Sequence, residues 1–159
     1  MDFSQTYLYK LRKLTTNLDK IFDQALRMHA TISLSQFTFL LAINTLGQAS
    51  QQKIASFLAI STPAVSRQAD IAYEKGWIKR SPSLIDRHGY ILVLTVSGKK
   101  MISHGLKTLE THVFKIFENA HQQADLMSHI NSLLNNLKSI SEEQTLLKQR
   151  ERLTEKSIL

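Results

Sequence analysis

The 159-residue chain has no cysteine. That excludes disulfides, thiolate zinc sites and any cysteine-based redox sensor. It has only five glycines, too few to supply many of the tight turns that shape a reaction site. No glycine-rich phosphate loop and no Gly-x-Ser-x-Gly elbow occurs, so the chain does not read as an enzyme and no cofactor is expected. No run of about 18 apolar residues is present, so no membrane span and no membrane partner are expected. The opening MDFSQTYLYKLRKL carries an acid at its second position, and its apolar residues are spaced out. It is unlike a secretory leader, and a cytoplasmic protein is expected. The length suits a single chain with its own core.

What is present in excess is positive charge, and it is unevenly placed. The formal net charge is +7. Residues 1–52 carry five Lys/Arg and three acids, residues 53–100 carry eight and three, and residues 101–159 carry seven and seven. The surplus therefore sits in the middle third. A local cationic excess can solvate a surface, and it is also what a polyanion-binding face requires.

Apolar spacing predicts long helices at both ends. Tyr7, Leu11, Leu14, Leu18, Ile21, Ala25 and Met28 recur at steps of four and three, the stripe of a helix packed along another helix. Ile102, Leu106, Leu109, Val113, Ile116 and Ala120 repeat the pattern. So do Leu126, Ile130, Leu133, Leu137, Ile140 and Leu147, apart from Gln144. Three such stripes do not easily satisfy one another within one small core. A homodimer through the chain ends is expected, with an intramolecular bundle as the alternative. Tyr7, Leu11, Leu14, Leu18, Leu126, Ile130, Leu133 and Leu137 are the expected dimerisation residues, on helices spanning 3–30 and 98–148.

The middle reads as short helices and then a hairpin. Ser33 or Ser35 is placed to cap a second helix that buries Phe37, Leu40, Leu41 and Ile43 and stops at Gly47. A third holds Ile54, Ala55 and Leu58. Ser61, Thr62 and Pro63 start a fourth, the hydroxyl capping and the proline at the first turn, and Gly76 stops it. Trp77 to Ser81 and Gly89 to Thr95 predict two strands joined by a loop. Thr95 or Ser97 starts the next helix.

Residues 51–70, QQKIASFLAISTPAVSRQAD, have the form of a helix-turn-helix. Ala55, Ala59 and Val65 are small or apolar where two helices cross, with Ala59 at the turn position most often taken by glycine. Ile54, Leu58 and Ile60 are expected to fill the junction. On the fourth helix Val65, Ala69, Ala72 and Tyr73 are expected to face inward. That leaves Thr62, Pro63, Ala64, Ser66, Arg67 and Gln68 on the outer N-terminal surface, the end that reaches base edges when a helix lies in a major groove. Arg67 suits guanine or a phosphate, Gln68 suits adenine, and Ser66 and Thr62 suit phosphates. The fold class expected is mainly α with a small β-hairpin: a winged helix-turn-helix over residues 34–96, flanked by dimerisation helices.

Three stretches resemble the multiple antibiotic resistance regulator (MarR) family, including its SlyA-like members. One is Ser61 to Arg67. The second is Tyr73 to Arg80, YEKGWIKR, similar to the family's passage into the wing. The third is the spacing from Arg80 to Asp86 and on to the Leu94-Thr95 pair. The resemblance implies an obligate dimer that binds double-stranded DNA with a recognition helix in the major groove and a wing tip in the minor groove. It implies repression or activation, often relieved by a small-molecule effector. Arg80, Arg87 and His88 are the wing's expected DNA-binding residues. The chain departs from the family where the wing-tip arginine falls on His88, and where Leu84 and Ile85 are apolar. A histidine there, with an ordinary pKa of about 6.5, would make DNA affinity rise as pH falls. In the resembled family an effector pocket lies between the dimer helices and the winged domain, and Tyr7, His29, Phe37 and His112 are the residues expected to approach it.

His121, Asp125 and His129 share a spacing of four, but a zinc site needs three or four convergent ligands. A helix junction is expected at residues 120–124, so no metal is assigned. The non-regulatory alternative for the whole chain is a winged-helix module for protein interaction or DNA architecture.

Overall fold

The computed structural model describes residues 6–82, 90–112, 121 and 124–140. Its element order is α1 (Tyr7–Ala30), α2 (Leu34–Leu46), β1 (Gln48–Ser50), α3 (Gln51–Leu58), α4 (Thr62–Glu74), β2 (Ile78–Pro82), β3 (Tyr90–Leu94) and α5 (Val96–His112). Residues 124–140 form a further helix. The chain divides into two compact units, Met1–Lys115 and Ile116–Leu159. No helix among the described residues is long and apolar enough to cross a membrane.

Local chemistry explains where most helices begin and end. Ser33 accepts from the backbone N–H of Gln36 at 3.2 Å, and Gln36 Oε1 accepts from the N–H of Ser33 at 3.2 Å, a reciprocal capping box for α2. Gly47 follows α2 at φ 76°. Ser50 caps α3 through the N–H of Lys53. At the start of α4 the local expectation fails in one detail: Ser61 sits at the cap position, but its side chain makes no capping bond among the described residues. Pro63 lies in the first turn, and Gly76 at φ 67° follows the helix end. Asp23 of α1 ties α1 to the start of α2. It accepts from Arg27 Nε at 2.6 Å and from the N–H of Leu34 at 2.8 Å. The Arg27 bond, opposed by partial desolvation and reinforced by Leu34, holds its carboxyl below the ordinary aspartate range.

The predicted hairpin is part of a three-stranded antiparallel sheet in the order β1-β3-β2. Ala49 and Arg80 flank Leu92 on either side. The extra strand Gln48–Ser50 has no β-rich composition of its own, and β3 supplies its partners. The first wing strand begins at Ile78 instead of Trp77, because the Trp77 N–H returns to the carbonyl of Ala72 at 2.8 Å and closes the end of α4. Pro82 ends β2, which among the described residues is an edge strand with no ladder to break on its outer side.

The core joins α1, α2, the helix-turn-helix, the sheet and α5. Leu26, Ile32, Phe37, Phe39, Leu40, Ile43, Ile54, Val65, Ile78 and Leu92 are fully buried. Ala59, in the turn between α3 and α4, is left-handed at φ 53° and ψ 41°. A side chain in that region costs about 1–2 kcal/mol, partly offset by the looser unfolded chain a glycine would have. Ala59→Gly is therefore expected to stabilise the protein by about 0.5–1 kcal/mol, raising the melting temperature by about 2 °C. An unchanged or lower melting temperature would show that the turn is not strained.

Candidate nucleic-acid interface

The α3 and α4 helices meet through Ala55, Val65 and Ala69, all buried, and the N–H of Ile60 returns to Ala55 O at 3.1 Å. Ile60 itself is exposed, as is Phe57, while Ile54 and Val65 are buried and Leu58 is half-buried against the core, so Ile60 is the one residue expected at the junction that does not fill it. With α4 seated this way, Thr62, Pro63 and Arg67 are exposed and Ala64, Ser66 and Gln68 are half-buried. The first turn of α4 holds no acid. The N–H groups of Ala64 and Val65 donate to Ser61 O at 3.0 and 3.2 Å, and Pro63 has none. What this end offers to anionic oxygens is therefore the positive pole of the helix dipole beside two hydroxyls and a guanidinium.

Two of the residues expected to meet DNA, Gln68 of this surface and Arg80 of the wing, are engaged within the protein. Gln68 Nε2 donates to Ser35 Oγ, at the start of α2, at 2.8 Å. Its Oε1 is buried without a hydrogen-bond partner among the described residues. Arg80 of β2 forms an ion pair with Asp70 of α4, and its guanidinium lies over the Tyr73 ring, 4.9 Å from the centroid. Tyr73 is nonetheless 52% exposed, a correction to the inward position its spacing suggested. Asp70 gave no signal in the sequence, since its partner lies ten residues away on a different element. Arg87 and His88, with Leu84, Ile85 and Asp86, lie outside the described residues, as does the pH dependence attached to His88.

The residues expected near an effector do not gather as a group. His29 and His112 stack with centroids 3.9 Å apart and planes within 3°, where α1 and α5 meet. Phe37 is buried in the core, its ring against Gly105. Tyr7 is 88% exposed at the far end of α1, about 33 Å along the helix from His29. Of the stripe on α1, Tyr7, Leu11, Leu14, Ile21 and Met28 are exposed and Leu18 is half-buried. On the helix over 124–140, Leu126, Ile130, Leu133, Leu137 and Ile140 are exposed. His121 Nε2 lies 3.5 Å from Asp125 Oδ2, while His129 Nδ1 is 2.7 Å from the backbone carbonyl of Asp125. Among the described residues no group of three or more histidines, cysteines or carboxylates is placed to hold a metal ion.

A helix-turn-helix whose second helix runs into an antiparallel wing defines a winged helix-turn-helix protein. Residues 32–88 match the model of the MarR family, so the family likeness read from the sequence holds over that segment. The SlyA-like subtype is not distinguished by that match. Solved structures share the fold. The transcriptional repressor CouR, bound to a 23-mer DNA duplex, superposes with a TM-score of 0.75 at 23% identity, over 84% of this chain and 95% of that one. Wild-type MarR from E. coli in its apo form gives 0.70 at 20%, over 81% and 96%. BpsR of Bordetella bronchiseptica, whose DNA binding is regulated by 6-hydroxynicotinic acid, gives 0.71 at 18%, over 84% and 96%. No curated protein matches the chain.

Proposed function

We propose that the chain is a sequence-specific regulator of transcription that binds double-stranded DNA as a homodimer on a pseudo-palindromic operator. The observation that carries this reading is the N-terminal turn of α4. It is free of acids and exposed, and it presents Thr62, Pro63 and Arg67 with Ala64 and Ser66 beside them. Residues 34–96 form the DNA-binding region in this reading. The helices within 3–30 and 98–148 pair two copies through Tyr7, Leu11, Leu14, Leu18, Leu126, Ile130, Leu133 and Leu137. Two recognition helices about 34 Å apart would then enter successive major grooves on one face of the duplex. Gln68 reads a base only by releasing Ser35. Arg87 and His88 are the wing's proposed contacts. A small-molecule effector binds near His29 and His112, where α1 crosses α5, and no catalytic step is involved. The DNA-bound state of CouR and the effector-regulated DNA binding of BpsR support both parts of the reading.

The first test is whether the purified protein shifts a duplex from its own upstream region while excess random duplex fails to compete. Competition by random duplex would favour an architectural or protein-interaction module. Arg67→Ala is expected to weaken operator binding by about 1–3 kcal/mol and to relax preference at one position per half-site. A loss equal for all sequences would make Arg67 a phosphate anchor instead. Affinity should fall steeply with salt as counterions are released, and a flat salt dependence would contradict the electrostatic account.

A further inference from the structure

Arg80 sits on β2 in the same register as the fully buried Leu92 of β3. It alternates with the exposed Lys79, so its side chain leaves the sheet on the face that Ile78 buries. That route takes it to α4, not to open solvent. Asp70 and Tyr73 lie three residues apart on one face of α4 and receive the guanidinium together, one as an ion-pair partner and the other as a ring beneath it. The Arg80 side chain is 28% exposed and Asp70 57%. A planar guanidinium held by a carboxylate and an aromatic face has its direction set by both, which a lysine would not reproduce.

We infer that Asp70, Tyr73 and Arg80 form a strut that sets the angle between the recognition helix and the wing, with Arg80 acting as a positioning residue and not as a DNA contact. The inference rests on the DNA-binding reading above. It assigns an unexpected role to Asp70. Electrostatics alone makes an acid on a DNA-facing helix unfavourable for binding, so its removal should tighten the complex. The strut requires the opposite, because removing Asp70 releases the wing.

The experiment measures affinity of the full-length protein for its upstream duplex between about 50 and 200 mM salt. Asp70→Asn is expected to weaken binding by about tenfold, with the slope of log affinity against log salt unchanged. Arg80→Gln should lose the same factor at the same slope, and the double variant should be no worse than either single one. Asp70→Glu, which keeps the ion pair, should retain most of the affinity. Tighter or unchanged binding by Asp70→Asn overturns the strut. So does a slope reduced by about 0.9 in Arg80→Gln, the signature of one lost phosphate contact. If either variant loses its cooperative melting transition, Tyr73→Leu replaces it. That change keeps both charges and should cost about fivefold in affinity at unchanged slope, and unchanged affinity overturns the proposal. Failure of the wild-type protein to bind any duplex would instead defeat the DNA-binding reading itself.

Discussion

A chain carrying Leu14→Glu together with Leu133→Glu is expected to sediment as a monomer at micromolar concentration, and the unaltered protein as a dimer. It should lose at least about 100-fold in operator affinity. The stripes Tyr7, Leu11, Leu14, Ile21, Met28 and Leu126, Ile130, Leu133, Leu137, Ile140 are exposed in the single chain. So much apolar side chain along two helices marks an association surface more than a solvated one. If the stripes face water, either substitution costs less than about 0.5 kcal/mol and leaves the mass unchanged. If they are covered by a second copy, each carboxylate is buried without a partner, at several kcal/mol. The loss of affinity follows from linkage. In a dimer the second recognition helix meets its half-site at an effective concentration in the millimolar range, and a monomer forfeits that advantage. The core around Leu26, Phe37, Phe39 and Leu92 contains neither leucine, so the near-ultraviolet signal of buried Trp77 should survive. A dimer of undiminished affinity would show that the stripes are ordinary surface.

Gly98→Ala is expected to destabilise the protein by about 2–3 kcal/mol, although alanine is the better helix former by about 1 kcal/mol. A Cβ at that position would lie 2.1 Å from the carbonyl oxygen of Trp77 and 3.0 Å from Leu94 Cδ2. The carbonyl is poorly placed to yield. It accepts from the N–H of Thr95 at 2.9 Å and from the Thr95 hydroxyl at 3.1 Å. The same hydroxyl oxygen lies 2.7 Å from the carbonyl of Gly76 and accepts from the N–H of Gly98 at 3.0 Å, capping α5. The end of α4, the start of β2 and the start of α5 are thus fastened at one point, and a methyl group there has to part them. Thermal melting checks this, with Lys100→Ala, at an exposed position on the same helix, as the control. A drop of about 5 °C or more is expected for Gly98→Ala and almost none for the control. Equal melting temperatures would mean that α5 can shift without loss.

Much of this architecture was legible in the residues themselves. Ser33, Gly47, Ala59, Pro63 and Gly76 mark helix starts, stops and the turn of the helix-turn-helix. Capping bonds and left-handed turns are decided within about four residues, so their chemistry is local. The four-three spacing of the α1 stripe predicted a helix because its period is that of the backbone. The outer N-terminal surface of α4 followed from the same arithmetic, with Thr62 and Arg67 exposed and Val65 and Ala69 buried. Other features depended on partners far along the chain. Gln48 to Ser50 became a strand because β3 pairs with it. Gly98 had to be glycine because Trp77, distant in sequence, lies against it. Tyr73 follows the inward period and yet is half exposed, with the Arg80 guanidinium over its ring and Asp70 as the ion-pair partner. Gln68, by type a base reader, was drawn to Ser35 of α2. A side chain's period along a helix tells which way it starts, whereas the groups that approach from other elements decide what it touches, and only packing in three dimensions brings those groups together.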